Sequence, residues 1–238
     1  MSFLSPVFGS MSVAISKTVF FENAGNMQVL QNEGIVRSAQ CCLLNGAGVN
    51  LEHYRPAPYP TKSTPVRFLF IGRVMREKGV DELFEALIRL QNEGVHCTLD
   101  LLGYCEENYE QLLKDYAEKG LLCYHGQQKD VRPFIEEAHC FVLPSWHEGM
   151  ANTNLECAAM ARPLITSSIH GCKEAVVDNE SGLLCEPKNA DSLYECMKLF
   201  CSLPTHTRAQ MGLRGRRHME EVFDKKKVVE KTVKELEG

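Results

Sequence analysis

Two glutamates, Glu148 and Glu156, frame the stretch SWHEGMANTNLEC at residues 145–157, with Gly149, Met150, Ala151 and Asn152 between them. A carboxylate can accept hydrogen bonds from two neighbouring hydroxyls at once, as ribose and hexoses present them. A helix beginning near Asn152 offers unpaired backbone N–H groups, and the small residues before it let a ligand approach them. An anion is at home there, yet two carboxylates would repel a phosphate at contact, so they read as flanking it. Earlier, GRVMREKGVDEL places Arg73 directly after an apolar run and Lys78 five residues later, just before a helix. Two cations at such a junction make a receptor for a phosphate or diphosphate, and Arg76 has the same chemistry. Taken singly, each residue has a plainer reading. Glu148 would be a charge favoured at a helix start, Glu156 an exposed helix residue, and the cations surface groups pairing with Glu77 or Asp81. Taken together they describe a receptor for a ligand with a sugar at each end and phosphates between, which is a nucleotide-sugar.

The elements that must position these residues are regular from Val66 onward. VRFLFIG, CTLDLLG, LLCYHG, HCFVLPS, PLITSS and SGLLCEP are short apolar runs of the kind buried parallel strands show. Between them GVDELFEALIRLQNEG, ENYEQLLKDYAEKG, DVRPFIEEA, NTNLECAAMA and CKEAVV read as helices, with Asp130 the N-cap of the third. Three further helices close the chain from NADSLYECMKLFCSL onward. Strict alternation predicts an α/β fold, a Rossmann-like parallel sheet flanked by helices, with ligands at the carboxyl ends of the strands. Residues 1–62 fit poorly: KTVFFEN and AQCCLLNGAG read as two strands around a short helix, too little for a domain. YRPAPYPTKSTP, with four prolines, reads as a linker. The expected division is therefore 1–62, the end of a preceding domain plus linker, and 63–238, the ligand-binding domain.

Composition excludes several classes. The 238 residues are 44% hydrophobic and 24% charged, as in ordinary soluble proteins. A net charge of −5 argues against a nucleic-acid partner. No apolar run approaches the roughly 20 residues of a membrane span, and the N-terminus lacks the basic region of a signal peptide. The eleven cysteines form no C-x-x-C pair and read as small buried hydrophobes of a reduced, cytoplasmic protein. NGAGVN is a lone G-x-G, poor support for an NAD site. No D-x-D occurs, so no metal-bridged diphosphate is indicated. His147 reads as a packed or solvated histidine, although it could serve as a general base. The cluster Arg214, Arg216, Arg217 and Lys225 to Lys227 reads as a solvated helix face that could also meet anionic lipid.

From about Asn45 onward the chain resembles the retaining glycosyltransferases of family 4, whose GT-B fold sets two Rossmann-like domains face to face. The matching segments are GRVMREKGVDEL, HGQQKDVRPFIEEAHCFVLPS, EGMANTNLECAAMARPLITSSIHGCKEAV and SGLLCEPKNADSL, in family order and spacing. EGMANTNLECAA matches the family's E-x7-E motif, and the wording is most similar to bacterial enzymes of capsule, exopolysaccharide or lipid-linked oligosaccharide synthesis. The resemblance implies that Gly72, Arg73 and Lys78 hold the diphosphate and stabilise the leaving group. It implies that Glu148 contacts the transferred sugar, Glu156 the ribose hydroxyls, and the backbone of Gly149, Met150, Ala151 and Asn152 the phosphate and sugar. Gln128 and Asp130 fall at the base-contacting loop. The implied substrates are a UDP-sugar and a glycan or lipid-linked acceptor, with no metal or other cofactor and a cytoplasmic location, peripheral at the inner membrane face if the acceptor is a lipid. A whole family member carries an acceptor-binding N-terminal domain, of which TVFFENAGNMQVLQNEGI resembles the late F-x-N segment. Such a remnant exposes strand edges, so self-association through residues 1–60 is expected. Two alternatives remain open: a non-catalytic nucleotide-sugar-binding subunit that partners a separate acceptor-domain chain, and a GT-B-fold nucleotide-sugar epimerase. An NAD-dependent oxidoreductase comes last.

Overall fold

Near-continuous apolar runs such as FLFI and LDLL are stable as strands only when helices cover both sheet faces. The structure, a computed structural model, describes residues 16–62, 65–106 and 108–237 and shows that arrangement. Six strands form one parallel sheet: β3 (Val66–Ile71), β4 (Cys97–Leu102), β5 (Cys123–Gly126), β6 (Cys140–Leu143), β7 (Leu164–Ser167) and β8 (Gly182–Cys185), in the order β5-β4-β3-β6-β7-β8. From β3 the chain winds outward through β4 and β5, then crosses back to place β6 beside β3, with Leu69 opposite both Asp100 and Phe141. The β3/β6 boundary is therefore the point where the winding reverses, the place where such sheets open a ligand crevice. Before it, β1 (Val19–Phe21) and β2 (Cys41–Leu43) pair in parallel around α1 (Ala24–Asn32) as a separate two-stranded sheet.

The helices are α2 (Val80–Asn92), α3 (Glu110–Glu118), α4 (Arg132–Glu137), α5 (Asn152–Ala159), α6 (Ala190–Ser202), α7 (Thr205–Val222) and α8 (Lys225–Glu237). In α2, Leu83, Phe84, Ala86, Leu87 and Leu90 recur at helical spacing and are all buried against the sheet. Phe68, Phe70, Leu99, Phe141, Leu155 and Ile165 continue the same core from strands and from α5.

Three expectations need correction. The helix expected from Asp130 begins at Arg132, and Asp130 accepts from the Arg132 N–H two residues on, a turn rather than a helix cap. CKEAVV makes only one 3-10 turn, Lys173–Ala175, too short a segment to complete an α-helical turn before β8. Residues 54–62 lack regular structure but are not loose. Arg162, 1% exposed, donates to the carbonyls of Ala57 (3.2 Å), Pro58 (2.8 Å), Ile135 (2.8 Å) and Glu136 (2.8 Å), while the Tyr59 hydroxyl donates to His139 O at 3.0 Å. Finally, Arg216 is no solvated cation. Its guanidinium donates to Tyr54 O and Ala159 O, both at 2.8 Å, and so fastens the 50–54 turn to α5. The N-terminal piece is also tied to the end of the chain, by Val49 N–H to Phe223 O (2.7 Å) and the Lys231 ammonium to Leu43 O (2.7 Å). Among the described residues no helix is long and apolar enough to cross a membrane.

Candidate functional site

The loops that follow β3 and β6 lie side by side because those strands are neighbours at the winding reversal. The β3 loop ends in the turn Arg76–Lys78 and passes through Gly79 at φ +73°. A side chain at position 79 would place its Cβ 2.1 Å from Pro144 O in the β6 loop, so only glycine lets the two loops approach this closely. Trp146 N–H donates to Glu77 O at 2.9 Å and fixes the pairing. The consequence is the central contact of the site: the Lys78 ammonium meets Glu148 Oε1 at 2.5 Å, both side chains largely buried, and Ser145 Oγ donates to the same oxygen at 2.8 Å.

Glu148 is followed by Gly149, Met150 and Ala151, leading into the first turn of α5, where Asn152 is exposed. Asn23 donates to Gly149 O at 2.6 Å, and Ala151 N–H donates to Gly171 O at 2.8 Å. One turn into α5, Glu156 is half-buried and near the Tyr54 hydroxyl. Burial raises the Glu156 carboxyl above its ordinary 4.5, against the smaller opposite pull of that hydroxyl. Burial and the adjacent carboxylate also push the Tyr54 hydroxyl well up, so it stays protonated.

The remaining candidates lie at the same end of the sheet but contact other partners. Arg73, exposed, pairs with Glu106 of the β4 loop at 3.2 Å. Gly72 N–H donates to Leu102 O at 3.0 Å, which joins the β3 and β4 loops at their base. The Gln128 side chain turns back to its own strand, donating to His125 O at 2.6 Å. Asp130 and Arg132 pair at 2.7 Å, and that hydrogen-bonded guanidinium draws the Asp130 carboxyl down to about 2. The structure thus joins Lys78, Glu148 and the 149–151 loop directly, sets Glu156 one helical turn further on, and leaves Arg73, Gln128 and Asp130 at the rim. His147 is exposed, 3.7 Å from Glu77. The plainer reading had Arg73 and Lys78 pairing with Glu77 or Asp81, but they pair with Glu106 and Glu148; it is Arg76 that lies 3.9 Å from Asp81. Among the described residues no group of three or more His, Cys, Asp and Glu side chains is placed to share a metal ion.

Four residues of this constellation were given no role by sequence reasoning: Asn23, the asparagine of the F-x-N segment, and Tyr54, Glu106 and Ser145. Asn23 had a readable signal, an asparagine directly before a helix. Ser145 stands in the motif stretch itself. Tyr54 and Glu106 had none, since their partners are about a hundred and about thirty positions away.

A six-stranded parallel sheet wound in this order, with its loops gathered at the reversal, is one Rossmann-like half of a GT-B fold. A profile of the family described as Glycosyl transferases group 1 matches residues 65–202, more than half of the chain, and the protein belongs to that family. It is 26% identical over 200 residues to the N,N'-diacetylbacillosaminyl-diphospho-undecaprenol alpha-1,3-N-acetylgalactosaminyltransferase of Campylobacter jejuni, covering 79% of this chain and 52% of that one. The fold is similar to that of a glycosyltransferase from Rickettsia africae (TM-score 0.83, 19% identity, 98% of this chain and 67% of that one). It is equally similar to HepE of Anabaena in complex with UDP (TM-score 0.83, 15% identity, 97% and 66%). The chain spans from about a third to about half the length of the curated relatives it matches.

Proposed function

We propose that the chain is the sugar-donor half of a retaining family 4 glycosyltransferase, carrying a UDP-sugar for transfer to a glycan or lipid-linked acceptor. The observation that carries this reading is the Lys78–Glu148 contact at the winding reversal, set against the start of α5 with Glu156 one turn beyond. In this reading residues 63–238 are the donor domain and 1–62 belong to the acceptor side and linker. UDP is favoured because the similarly folded HepE was determined with it, and a lipid-linked acceptor because the Campylobacter relative is named for one. A cytoplasmic site of action, peripheral to the membrane, follows from that acceptor. Self-association through residues 1–60 belongs to the same reading; residues 1–15 lie outside the described ones, and β1 and β2 pair only with each other among those described.

In the reaction, the bond from the anomeric carbon to the diphosphate oxygen breaks and its electron pair goes to that oxygen. The acceptor hydroxyl oxygen bonds to the same carbon, and its proton passes to the departing diphosphate oxygen. Lys78, Arg73 and the N–H groups at the start of α5 meet the charge that develops on the diphosphate, and being placed beforehand they lower the barrier. The β-phosphate competes with Glu148 for Lys78, which turns the glutamate toward the hydroxyls of the transferred sugar. Glu156 takes the ribose diol.

Calorimetric titration with UDP, GDP and ADP, without added metal, tests the reading. One nucleoside diphosphate is expected to bind, and both Lys78→Ala and Glu156→Ala are expected to weaken it. Failure of all three to bind the wild-type chain would sink it. A pH series adds a sharper expectation. Glu156 accepts both ribose hydroxyls only when ionised, and burial favours its neutral form. Affinity for UDP should therefore fall on acidification at a pH above the ordinary 4.5 of a glutamate. Tyr54→Phe removes the hydroxyl that lowers the carboxyl, so the fall should begin at a higher pH still, whereas Glu156→Gln should flatten it.

A further inference from the structure

We infer that Asn23 is a positioning residue that aims the backbone N–H groups of Gly149 and Met150 at the phosphates. This rests on the sugar-donor reading of the site.

Asn23 sits in the corner between β1 and α1 and is 2% exposed. Both ends of its amide are engaged. Oδ1 accepts from Asn26 N–H at 2.8 Å and caps α1, while Nδ2 donates to Gly149 O at 2.6 Å and reaches Glu148 O at 3.5 Å. A trans peptide is planar, with its C=O and N–H pointing in opposite directions. The Glu148 carbonyl shares its plane with the Gly149 N–H, and the Gly149 carbonyl shares its plane with the Met150 N–H. Holding both carbonyls on the Asn23 side therefore turns both N–H groups the other way.

Gly171 completes the same wall. Its φ is +89°, and a Cβ there would lie 2.6 Å from Glu148 O and 2.8 Å from Gly149 O. The two carbonyls thus face Asn23 and Gly171. Among the described residues no backbone carbonyl accepts from the N–H of Gly149 or Met150. Two consecutive N–H groups aimed to one side form a concavity that suits an anion. Shape seats the corner as well: a Cβ on Gly25 would lie 2.6 Å from the His170 ring, and one on Gly149 would lie 2.9 Å from Glu22 Oε2. A segment 126 positions away in sequence thereby sets the geometry of the loop.

The competing account is that Asn23 only caps α1. Asn23→Asp separates the two, because it keeps the size and the capping oxygen but deletes the N–H donor and faces two carbonyls with a carboxylate. Asn23→Ser does the same by another route. Its hydroxyl still caps but is too short to reach Gly149 O, and it serves if the aspartate variant does not fold. Each is expected to weaken UDP at least tenfold while changing the affinity for uridine, measured by displacement, less than twofold. Each should also speed amide exchange across residues 148–151 at least tenfold in the nucleotide-free chain. Wild-type affinity together with unchanged exchange overturns the inference, as does an equal loss for UDP and uridine. If Lys78→Ala and Glu156→Ala weaken UDP but neither Asn23 variant does, the inference falls and the sugar-donor reading stands. If the wild-type chain binds none of UDP, GDP and ADP, the reading falls and takes the phosphate role of Asn23 with it.

Discussion

Lys78→Ala is expected to lower sugar transfer by more than a hundredfold, measured with the sugar donor, an acceptor and the acceptor-side domain present. A preplaced charge or N–H dipole facing a developing anion is worth about 2.7–4 kcal/mol in comparable sites, and about 1.36 kcal/mol is a factor of ten in rate. Lys78 should stand at the upper end. Its side chain is 19% exposed and that of Glu148 13%, so water screens neither well. Removing the ammonium also leaves Glu148 beside Ser145 alone, a carboxylate next to the path of the incoming phosphates. The variant should therefore lose affinity as well as turnover. Lys78→Arg keeps the charge, but its planar fork does not fit a contact built for a point charge, and it should recover only part of the rate. A loss below tenfold in Lys78→Ala would remove this residue from leaving-group stabilisation.

Arg162→Ala is expected to destabilise the fold by about 3–5 kcal/mol, the sum of a few buried carbonyls left without a donor at about 1–3 kcal/mol each. The guanidinium is 1% exposed, and burial lowers its pKa. Its hydrogen bonds satisfy carbonyls from three places: Ala57 and Pro58 before β3, Ile135 and Glu136 in α4, and its own helix end at Met160 and Ala161. Truncation strips the guanidinium from the carbonyls of Ala57, Pro58, Glu136 and Ala161, at about 1–3 kcal/mol for each that water cannot reach, while Ile135 O and Met160 O each keep a backbone N–H. Arg162→Lys should rescue little, since one ammonium cannot span three segments. Urea unfolding with an unchanged slope and a lowered midpoint would show the effect. A change under about 1 kcal/mol would mean that water replaces the guanidinium.

The strands could be read in advance because a buried parallel strand shows a short, near-continuous apolar run, and FLFI, LDLL and FVLP supply it. The glutamate pair was legible for a similar reason, since two carboxylates flanking a small-residue loop announce themselves by type and spacing; Gly79 was given no role in advance. Arg162 was not. An arginine between a helix and a proline has the local pattern of a surface residue, and only the folded chain shows the carbonyls gathered around it. The same holds for Glu106 beside Arg73 and for Tyr54 on Glu156, where the partner is brought by tertiary structure. Asp130 failed in the opposite direction: its type suited a helix cap, but Arg132 took the carboxylate first.

The ties between residues 43–49 and residues 223–231 bear on the order of assembly. Residues 19–54 are made before the six-stranded sheet, yet Leu43 and Val49 find their partners at Lys231, Phe223 and Lys225, which follow it in sequence. The six-stranded sheet can close while that early segment is still waiting, because contacts of shorter sequence separation close with a smaller loss of entropy. Once α8 emerges, the Lys231 ammonium and the Lys225 N–H fasten Leu43 and Val49 and so steady the segment that carries Asn23. A nascent chain interrupted before α8 would therefore hold a folded sheet with β2 and the turn after it untied from the rest.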